Sequence, residues 1–228
     1  MAAARRPTAA DGTDLFGPPP GDPPPFASSD AGPRPLADRL RPRGLEEVAG
    51  QDHLVGPGGA LSRMLERGSL ASLILWGPPG VGKTTIARLL AARAGLVFVS
   101  LSAVFSGVAD LKRAFDEARL RKRAGQGTLL LVDEIHRFNR AQQDGFLPVV
   151  EDGTVTLVGA TTENPSFALN GALLSRCQVL VLRRLDDAAL ESLLRRAEAE
   201  AGRALALDEA ARPALRAMAD GDGRYLLN

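Results

Sequence analysis

Short apolar runs alternate with amphipathic segments through the middle of the chain, and they predict five β-strands. The runs read LASLILW (70–76), LVFVSL (96–101), TLLLVDE (128–134), TVTLVGATT (154–162) and CQVLVLR (177–183). Within them, LILW and LLLV are apolar on both alternating faces, as expected of central strands covered by helices on both sides. Strands that alternate with helices predict an α/β fold with a doubly wound parallel sheet.

The segments between these runs have the apolar spacing of helices that pack against a sheet. The predicted helical segments are GALSRMLERGS (59–69), the part of 77–95 after the glycine-rich turn, 108–125, 140–152 and 168–176. Beyond residue 185 no strand is predicted. Residues 186–203 and 208–221 predict two amphipathic helices, and GDGRYLLN at the end predicts the first turns of another. We therefore expect a helical lid that continues beyond Asn228 in a longer protein.

The first 34 residues have a different composition. Their prolines remove backbone donors and they offer little apolar surface, so we predict a disordered tail over residues 1–34. Within it, TDLFG places Leu15 beside Phe16. The pair is either a chance pair in a linker or a short docking motif for a sliding clamp or a similar partner.

Charge and cysteine content exclude several classes of function. The 28 basic and 27 acidic residues give a net charge of +1, so no overall charge drives binding to nucleic acid or membranes. One cysteine cannot form an internal disulfide, and with two histidines it makes no zinc-binding pattern. No apolar run approaches the ~18 residues of a membrane span, and no signal-peptide core opens the chain. We expect a cytoplasmic protein without a membrane partner.

A phosphate-binding loop is the clearest motif. GPPGVGKT matches G-x-x-x-x-G-K-[ST], follows an apolar strand and opens a helix, which is the context that the motif requires. Its backbone N–H groups and the helix N-terminus would hold phosphates, Lys83 would reach the β and γ phosphates, and Thr84 would bind Mg²⁺. The predicted ATP-binding residues are Gly77, Pro78, Pro79, Gly80, Val81, Gly82, Lys83, Thr84 and Thr85.

Two acidic residues follow the strand LLLV. In an open α/β sheet, ligands bind at the carboxyl ends of the strands, where Asp133 and Glu134 stand. We predict that Asp133 helps to hold Mg²⁺ through a water and that Glu134 deprotonates the attacking water. The alternative is that the two acids cap the next helix.

These motifs together resemble a known family. GPPGVGKT, VDEIHRF, GATTENPSF, LLSRC and GDGRYLLN occur in the order found in AAA+ ATPases of the clamp loader branch. The block DEIHRFNRAQQDGFLPVVEDGTVTLVGATTENPSFALNGALLSR is similar to the RarA (or MgsA) family of replication-associated recombination ATPases. The resemblance implies an AAA+ nucleotide-binding domain over residues 35–184 and the beginning of a lid over 185–228.

The resemblance also assigns roles to residues outside the phosphate loop. Thr162 matches the sensor 1 position, with Asn164 as the second candidate and a turn residue as its other interpretation. Arg176 matches the arginine finger that enters the site of an adjacent subunit, although an arginine at a helix end also interacts favourably with the helix dipole. Arg224 matches the lid arginine called sensor 2, with Tyr225 where the family more often has a second arginine.

The resemblance places further residues around the nucleotide. Val48 and Gln51, with Gly50, match the segment that lines the adenine pocket, and Arg41 and Pro42 lie just upstream. Ser102, or equally the nearby Ser100, matches a polar residue that restrains the catalytic glutamate. His53 and His136 are interpreted as packing or hydrogen-bonding residues, and Cys177 as an inert core residue.

DNA is the implied partner. The segment LKRAFDEARLRKRAG concentrates basic residues on one helix, which is either a solvated face or a surface that follows a phosphate backbone. The resemblance implies action on single-stranded or forked DNA at stalled replication forks in the bacterial cytosol or nucleoid. It also implies a homo-tetramer at full length, with single-strand binding protein or a sliding clamp as further partners. The alternatives are a clamp loader subunit, a RuvB-type branch-migration motor and a nucleotide-gated scaffold.

Overall fold

The computed structural model describes residues 35–205, 207 and 210–228. The predicted tail over residues 1–34, with the Leu15 and Phe16 pair, lies outside the described residues. The described residues belong to one unit of the chain, so the predicted α/β domain and the predicted lid pack together. Within the described part of the chain, no helix is both long enough and apolar enough to cross a membrane.

Five parallel strands form the sheet, which confirms the predicted doubly wound α/β class. The strands are β1 Leu73–Trp76, β2 Val97–Ser102, β3 Thr128–Asp133, β4 Thr156–Thr161 and β5 Gln178–Val181. Their order across the sheet is β2-β3-β4-β1-β5, and every neighbouring pair is parallel. Four of these strands are shorter than their predicted apolar runs, because the runs extend into the neighbouring loops, whereas β2 has the predicted length and lies one residue later.

Helices connect the strands and cover both faces of the sheet. Those before β4 are α1 Leu36–Arg39, α2 Asp52–Val55, α3 Ala60–Glu66, α4 Lys83–Arg93, α5 Val108–Arg123, α6 Arg140–Asp144 and α7 Leu147–Glu151. Those after β4 are α8 Pro165–Ala168, α9 Gly171–Leu174, α10 Asp187–Ala201, α11 Ala211–Ala219 and α12 Gly223–Leu226. Two short 3₁₀ turns cover Leu45–Glu47 and Ile135–Arg137.

Alternate residues of the central strands point to opposite faces and build two separate cores. On one face, Leu73 and Leu75 of β1 pack with Ile86 and Leu90 of α4. On the other face, Ile74 packs in a cluster that contains residues of α5 and the segment around α7. The strand β1 is therefore buried on both faces, as its continuous apolar run predicts.

One predicted helix is corrected by the structure. Residues 140–152 form two helices, α6 and α7, rather than one. Pro148 lies near the start of α7, has no N–H to donate to the carbonyl of Asp144, and its ring would crowd that carbonyl in a continuous helix. The predicted helix over 168–176 is likewise shorter, because its regular turns are confined to Gly171–Leu174.

The last three helices of the described residues pack together in the region predicted to be the lid. Asp186 caps α10 by accepting a hydrogen bond from the backbone N–H of Ala189 at 2.8 Å, and Gly202 ends it in the left-handed conformation. Arg212 of α11 binds both Glu191 and Glu198 of α10 at 2.9 and 2.7 Å. This network holds the two helices together over a small apolar core.

Candidate nucleotide-binding site

The phosphate loop lies where the motif predicts. β1 ends at Trp76 and α4 begins at Lys83, so six residues connect a buried strand to the N-terminus of an 11-residue helix. Gly80 and Gly82 have φ values of 69° and 99°, in the left-handed region that favours glycine. A Cβ on Gly77 would lie 2.6 Å from the carbonyl oxygen of Leu182, so this position has no room for a side chain.

Lys83 is the buried cation of the loop. Its side-chain amine donates hydrogen bonds to the carbonyl oxygens of Gly77 at 2.8 Å and Pro78 at 2.7 Å. Burial lowers the pKa of the Lys83 amine below its usual value, and the carboxylates of Glu134 and Asp133 oppose that shift. A buried ammonium that rests on two loop carbonyls is well placed to exchange them for phosphate oxygens.

A cavity of about 200 Å³ lies over this loop. It brings together most of the predicted site. The predicted residues that line it are Val48, Pro79, Gly80, Val81, Gly82, Lys83, Thr84, Thr85, Asp133, Glu134 and Arg224, with Arg41 and Pro42 of the upstream segment. Gly77, Pro78, Gln51, Thr162 and Arg176 are not among its lining residues. The first two contribute through their carbonyl contacts with Lys83.

Part of the cavity lining is apolar. Its apolar residues come from the start of the described chain and from the lid: Ala37, Leu40, Val48, Ala49, Leu185, Leu193 and Leu227. Such a surface suits a planar heterocycle, whereas the phosphate loop and the acidic residues supply polar groups to the same cavity. These lid leucines were not predicted from the sequence, where their only signal is the apolar side of the predicted lid helices.

Glu134 lies in an unusual backbone conformation beside a histidine. Its φ of 53° is in the left-handed region, which a glutamate rarely adopts. The Nδ1 atom of His136 lies 3.3 Å from Glu134 Oε2 and 2.9 Å from Thr161 Oγ1. His136 was predicted to pack or hydrogen-bond and it does both, but its contact with the predicted general base was not foreseen.

β4 ends at Thr161, so both candidates for sensor 1, Thr162 and Asn164, lie just beyond the strand. Thr161 is the last residue of β4 and is fully buried, whereas Thr162 is exposed and lies one residue beyond the strand. Asn164 accepts a hydrogen bond from the backbone N–H of Ser166 at 3.0 Å and caps α8. Asn164 therefore serves as the predicted turn residue, and Thr162 stays the candidate for sensor 1.

The side chain of Gln51 bonds the chain itself. It is fully buried, donates to the carbonyl oxygen of Arg183 at 2.8 Å and accepts from the backbone N–H of Arg183 at 3.1 Å. Both ends of the amide are therefore used, and Gln51 fastens the segment that carries Val48 to the residues after β5. Its predicted place beside the adenine stays a prediction.

Arg176 does not reach the cavity of its own chain. Its Nε donates to Oε1 of Glu151 at 2.5 Å, and its Nη1 donates to the carbonyl oxygen of Ala172 at 2.7 Å. The second contact is the helix-end interaction that was its alternative interpretation. The finger role in an adjacent subunit stays a prediction.

Arg224 reaches the cavity from the lid. It stands in the first turn of α12, which Asp222 caps by accepting hydrogen bonds from two backbone N–H groups. Gly223 donates its backbone N–H to the carbonyl oxygen of Gly80 at 3.3 Å. The lid is therefore joined directly to the phosphate loop, and this contact places Arg224 near Lys83.

Most cations of the basic helix α5 are already paired. The pairs in or near that helix are Arg113 with Asp110, Arg119 with Asp116, Arg121 with Glu117, and Lys122 with the carbonyl oxygen of Asp152. Lys112 and Arg123 complete the predicted set. Ion pairs of this exposed kind are weak and exchange readily with other anions. The helix thus remains a candidate surface for DNA, with a solvated face as its alternative.

The central part of the chain matches the model of a known protein family. The family model of the ATPase family associated with various cellular activities (AAA) matches residues 73–185, from the first strand to the start of the lid. The chain belongs to the AAA family of ATPases. This agrees with the AAA+ fold that the motifs imply.

Relatives of this AAA chain carry the name that the sequence block resembles. The replication-associated recombination protein A of Coxiella burnetii is 52% identical over 85% of the chain and 45% of its own length. That of Escherichia coli is 47% identical over 86% of the chain and 45% of its own length. The ATPase WRNIP1 of Dictyostelium discoideum is 44% identical over 85% of the chain and 23% of its own length. The resemblance to the RarA family is confirmed.

Solved structures show the same fold. The Thermotoga maritima RuvB Holliday junction branch migration motor superimposes with a TM-score of 0.66 and 27% identity, over 82% of this chain and 63% of its own. A T158V variant of the same RuvB gives a TM-score of 0.67 at 28% identity, over 82% of this chain and 63% of its own. The chain spans about half the length of the curated relatives it matches.

Proposed function

We propose that this AAA chain binds and hydrolyses ATP. The observation that carries the proposal is the single cavity lined by Lys83, Thr84, Asp133, Glu134 and, from the lid, Arg224. A cation for phosphate, a hydroxyl and carboxylate for a metal, a candidate base and a second cation are the groups that phosphoryl transfer to water requires. Membership of the AAA family supports the same activity.

The residues divide the work between binding and chemistry. Lys83 and the backbone N–H groups of the phosphate loop hold the phosphates, and the apolar residues of the cavity lining contact the adenine. Glu134 accepts a proton from the attacking water. Arg224 and Thr162, at the lid and at the end of β4, respond to the γ phosphate.

The donor set fits Mg²⁺. The ion takes oxygen ligands, keeps several waters and binds through one or two protein groups plus substrate phosphates. Thr84 and Asp133 supply such oxygens at the wall of the cavity. Among the described residues no cluster of three or more His, Cys, Asp and Glu side chains could hold a metal unaided, so the phosphates would complete the site. Bound Mg²⁺ would supply neutralisation of phosphate charge.

Arg176 acts between subunits in this proposal, which requires a homo-oligomer, a tetramer at full length. Its exposed Glu151 pair is readily exchanged, so the guanidinium is free to turn towards a neighbour's nucleotide. An arginine finger contributes ~10³ to 10⁵ in rate. We expect Arg176→Ala to spare ATP binding, and a mixture with Lys83→Ala protein to recover some of the turnover that each variant lacks. Failure of mixing to recover activity would contradict action between subunits.

The biological setting we propose is replication-associated recombination at stalled or damaged forks, in the bacterial cytosol or nucleoid. The names of the bacterial relatives called replication-associated recombination protein A, and their 40–52% identity, support it over a clamp loader subunit or a branch-migration motor, since the RuvB structures are 26–28% identical. ATPase assays of the full-length protein with forked, gapped and single-stranded DNA test it. ATP hydrolysis that no DNA stimulates would contradict it. Single-strand binding protein and a sliding clamp are the partners to add next.

A further inference from the structure

The side chain of His136 has contacts that packing alone does not require. It is 4% exposed, and both ring nitrogens face polar groups. Nδ1 lies 2.9 Å from Thr161 Oγ1 and 3.3 Å from Glu134 Oε2, while Nε2 lies 3.3 Å from Glu163 Oε1. The ring therefore stands between the predicted general base and the residues at the end of β4.

Thr161 links this ring to the phosphate loop. It is the last residue of β4 and is fully buried, and its register partner in β1 is Trp76, which immediately precedes the loop. Its hydroxyl also accepts the backbone N–H of Glu163 at 3.0 Å. A displacement at the end of β4 would therefore shift the His136 ring, because Thr161 contacts it directly.

We propose that His136 is a positioning residue, which holds the Glu134 carboxylate in place relative to the end of β4. The proposal rests on the function proposed above, in which Glu134 is the general base. A base must be held within hydrogen-bonding reach of the attacking water, and small misplacements are costly. His136 is the side chain seen to contact that carboxylate, whereas the bonds described for Ser102, the predicted restraint, are made by its backbone.

The chemistry of imidazole makes this contact selective. Only a doubly protonated ring donates to Glu134 and Glu163 at once, and each neutral tautomer satisfies one of these carboxylates. Asparagine places an amide near the Nδ1 position, and glutamine places one near the Nε2 position. The two variants therefore separate the contacts at Nδ1, with Thr161 and Glu134, from the contact at Nε2 with Glu163.

Kinetics of the full-length protein test the proposal. We expect His136→Leu to lower kcat ~10 to 100-fold, because general base catalysis contributes ~10² to 10⁴. ATP affinity should stay within about twofold, since His136 does not line the cavity. His136→Asn should recover more of kcat than His136→Gln. Unchanged or raised kcat in His136→Leu would overturn the proposal.

A double variant separates positioning from a general structural effect. If His136 acts through Glu134, His136→Leu causes no further loss in a Glu134→Gln background. If its effect is structural, the two losses multiply, and the proposal fails. His53→Leu is the matched control, because His53 is the other histidine of the chain and bonds the carbonyl oxygen of Val181, outside the cavity.

Nitrogen NMR of the histidine rings gives a readout that needs no turnover. With two histidines in the chain, each ring gives its own resonances and His53 serves as an internal reference. We expect Glu134→Gln and Glu163→Gln to shift the His136 ring signals and leave those of His53 unchanged. If neither substitution changes the chemical shifts of the His136 ring nitrogens, the contacts of His136 with Glu134 and Glu163 are refuted. Absent ATPase activity with shifted signals would instead refute only the proposed hydrolysis.

Discussion

Gly80 is the point at which the lid meets the phosphate loop, and its replacement by alanine tests that junction. Its φ of 69° lies in the left-handed region, and a Cβ built there would overlap the carboxylate of Asp222. Asp222 cannot simply retreat, because its Oδ1 accepts the backbone N–H groups of Arg224 at 2.8 Å and Tyr225 at 2.9 Å. Gly80→Ala therefore strains the loop and uncaps α12 at the same time.

The two effects have separate magnitudes. A non-glycine residue in the left-handed region costs ~1–2 kcal/mol, and loss of a helix N-cap costs about 0.5–2 kcal/mol. Together they lower the free energy of unfolding by about 1.5–4 kcal/mol, which for a chain of this size lowers Tm by roughly 3–16 °C. Arg224 moves with α12, so the affinity for ATP should fall as well.

Urea unfolding followed by the fluorescence of Trp76 measures these terms. Trp76 is the single tryptophan of the chain and ends β1 immediately before the loop. In an Asp222→Ala background the cap is already lost, so Gly80→Ala should cost about 1 kcal/mol less than in the parent. Gly82→Ala is the control, because Gly82 has a φ of 99° and no atom within 4 Å of its added Cβ, and it should show no coupling to Asp222. Additive effects of Gly80→Ala and Asp222→Ala would refute the proposed junction.

Three further outcomes are expected. Hydrogen bonds, chiefly from Arg212, lower the pKa of Glu191 from 4.5 to about 2, so the stability that Glu191 contributes is present above about pH 4.5 and is lost as the pH falls towards 2. Glu191→Gln should therefore make the free energy of unfolding less dependent on pH between 4.5 and 2. An unchanged pH dependence over this range would contradict the prediction. Gln51→Leu should lower the free energy of unfolding by ~2–4 kcal/mol, because it leaves two backbone groups of Arg183 unpaired. The affinity for ATP, measured by calorimetry, should change little. A loss of ATP affinity without loss of stability would instead support a contact between Gln51 and the nucleotide. Burial raises the pKa of Cys177 from 9.0 to about 11. A thiol reagent at pH 8 should therefore react roughly 100-fold more slowly with native than with urea-unfolded protein, because the thiolate is the reactive form. Equal rates would contradict this and show that the thiol is accessible.

Features formed by neighbouring residues in the chain were predictable from the sequence. The five strands, the phosphate loop from Gly77 to Thr84 and the acids after LLLV each depend on a local run of side chains or on the conformational freedom of glycine. The Asn164 cap before Pro165 is of the same kind. Local prediction failed at Pro148, where one predicted helix is two, and it missed the four-residue helices α1, α2 and α8.

What the sequence alone determined is thus the fold class and the chemical groups around the phosphate loop: Lys83 at the start of a helix, and Asp133 and Glu134 at the end of a buried strand. The tertiary structure decided which distant residues meet these groups. Gln51 bonds Arg183, which lies 132 positions later in the chain. His136 contacts both Glu134 and Thr161, and Thr161 lies 25 positions after His136. Such contacts depend on strand order and on how the lid packs, because a side chain's partner across a sheet is set by the path of the backbone and leaves no periodic signal in the sequence.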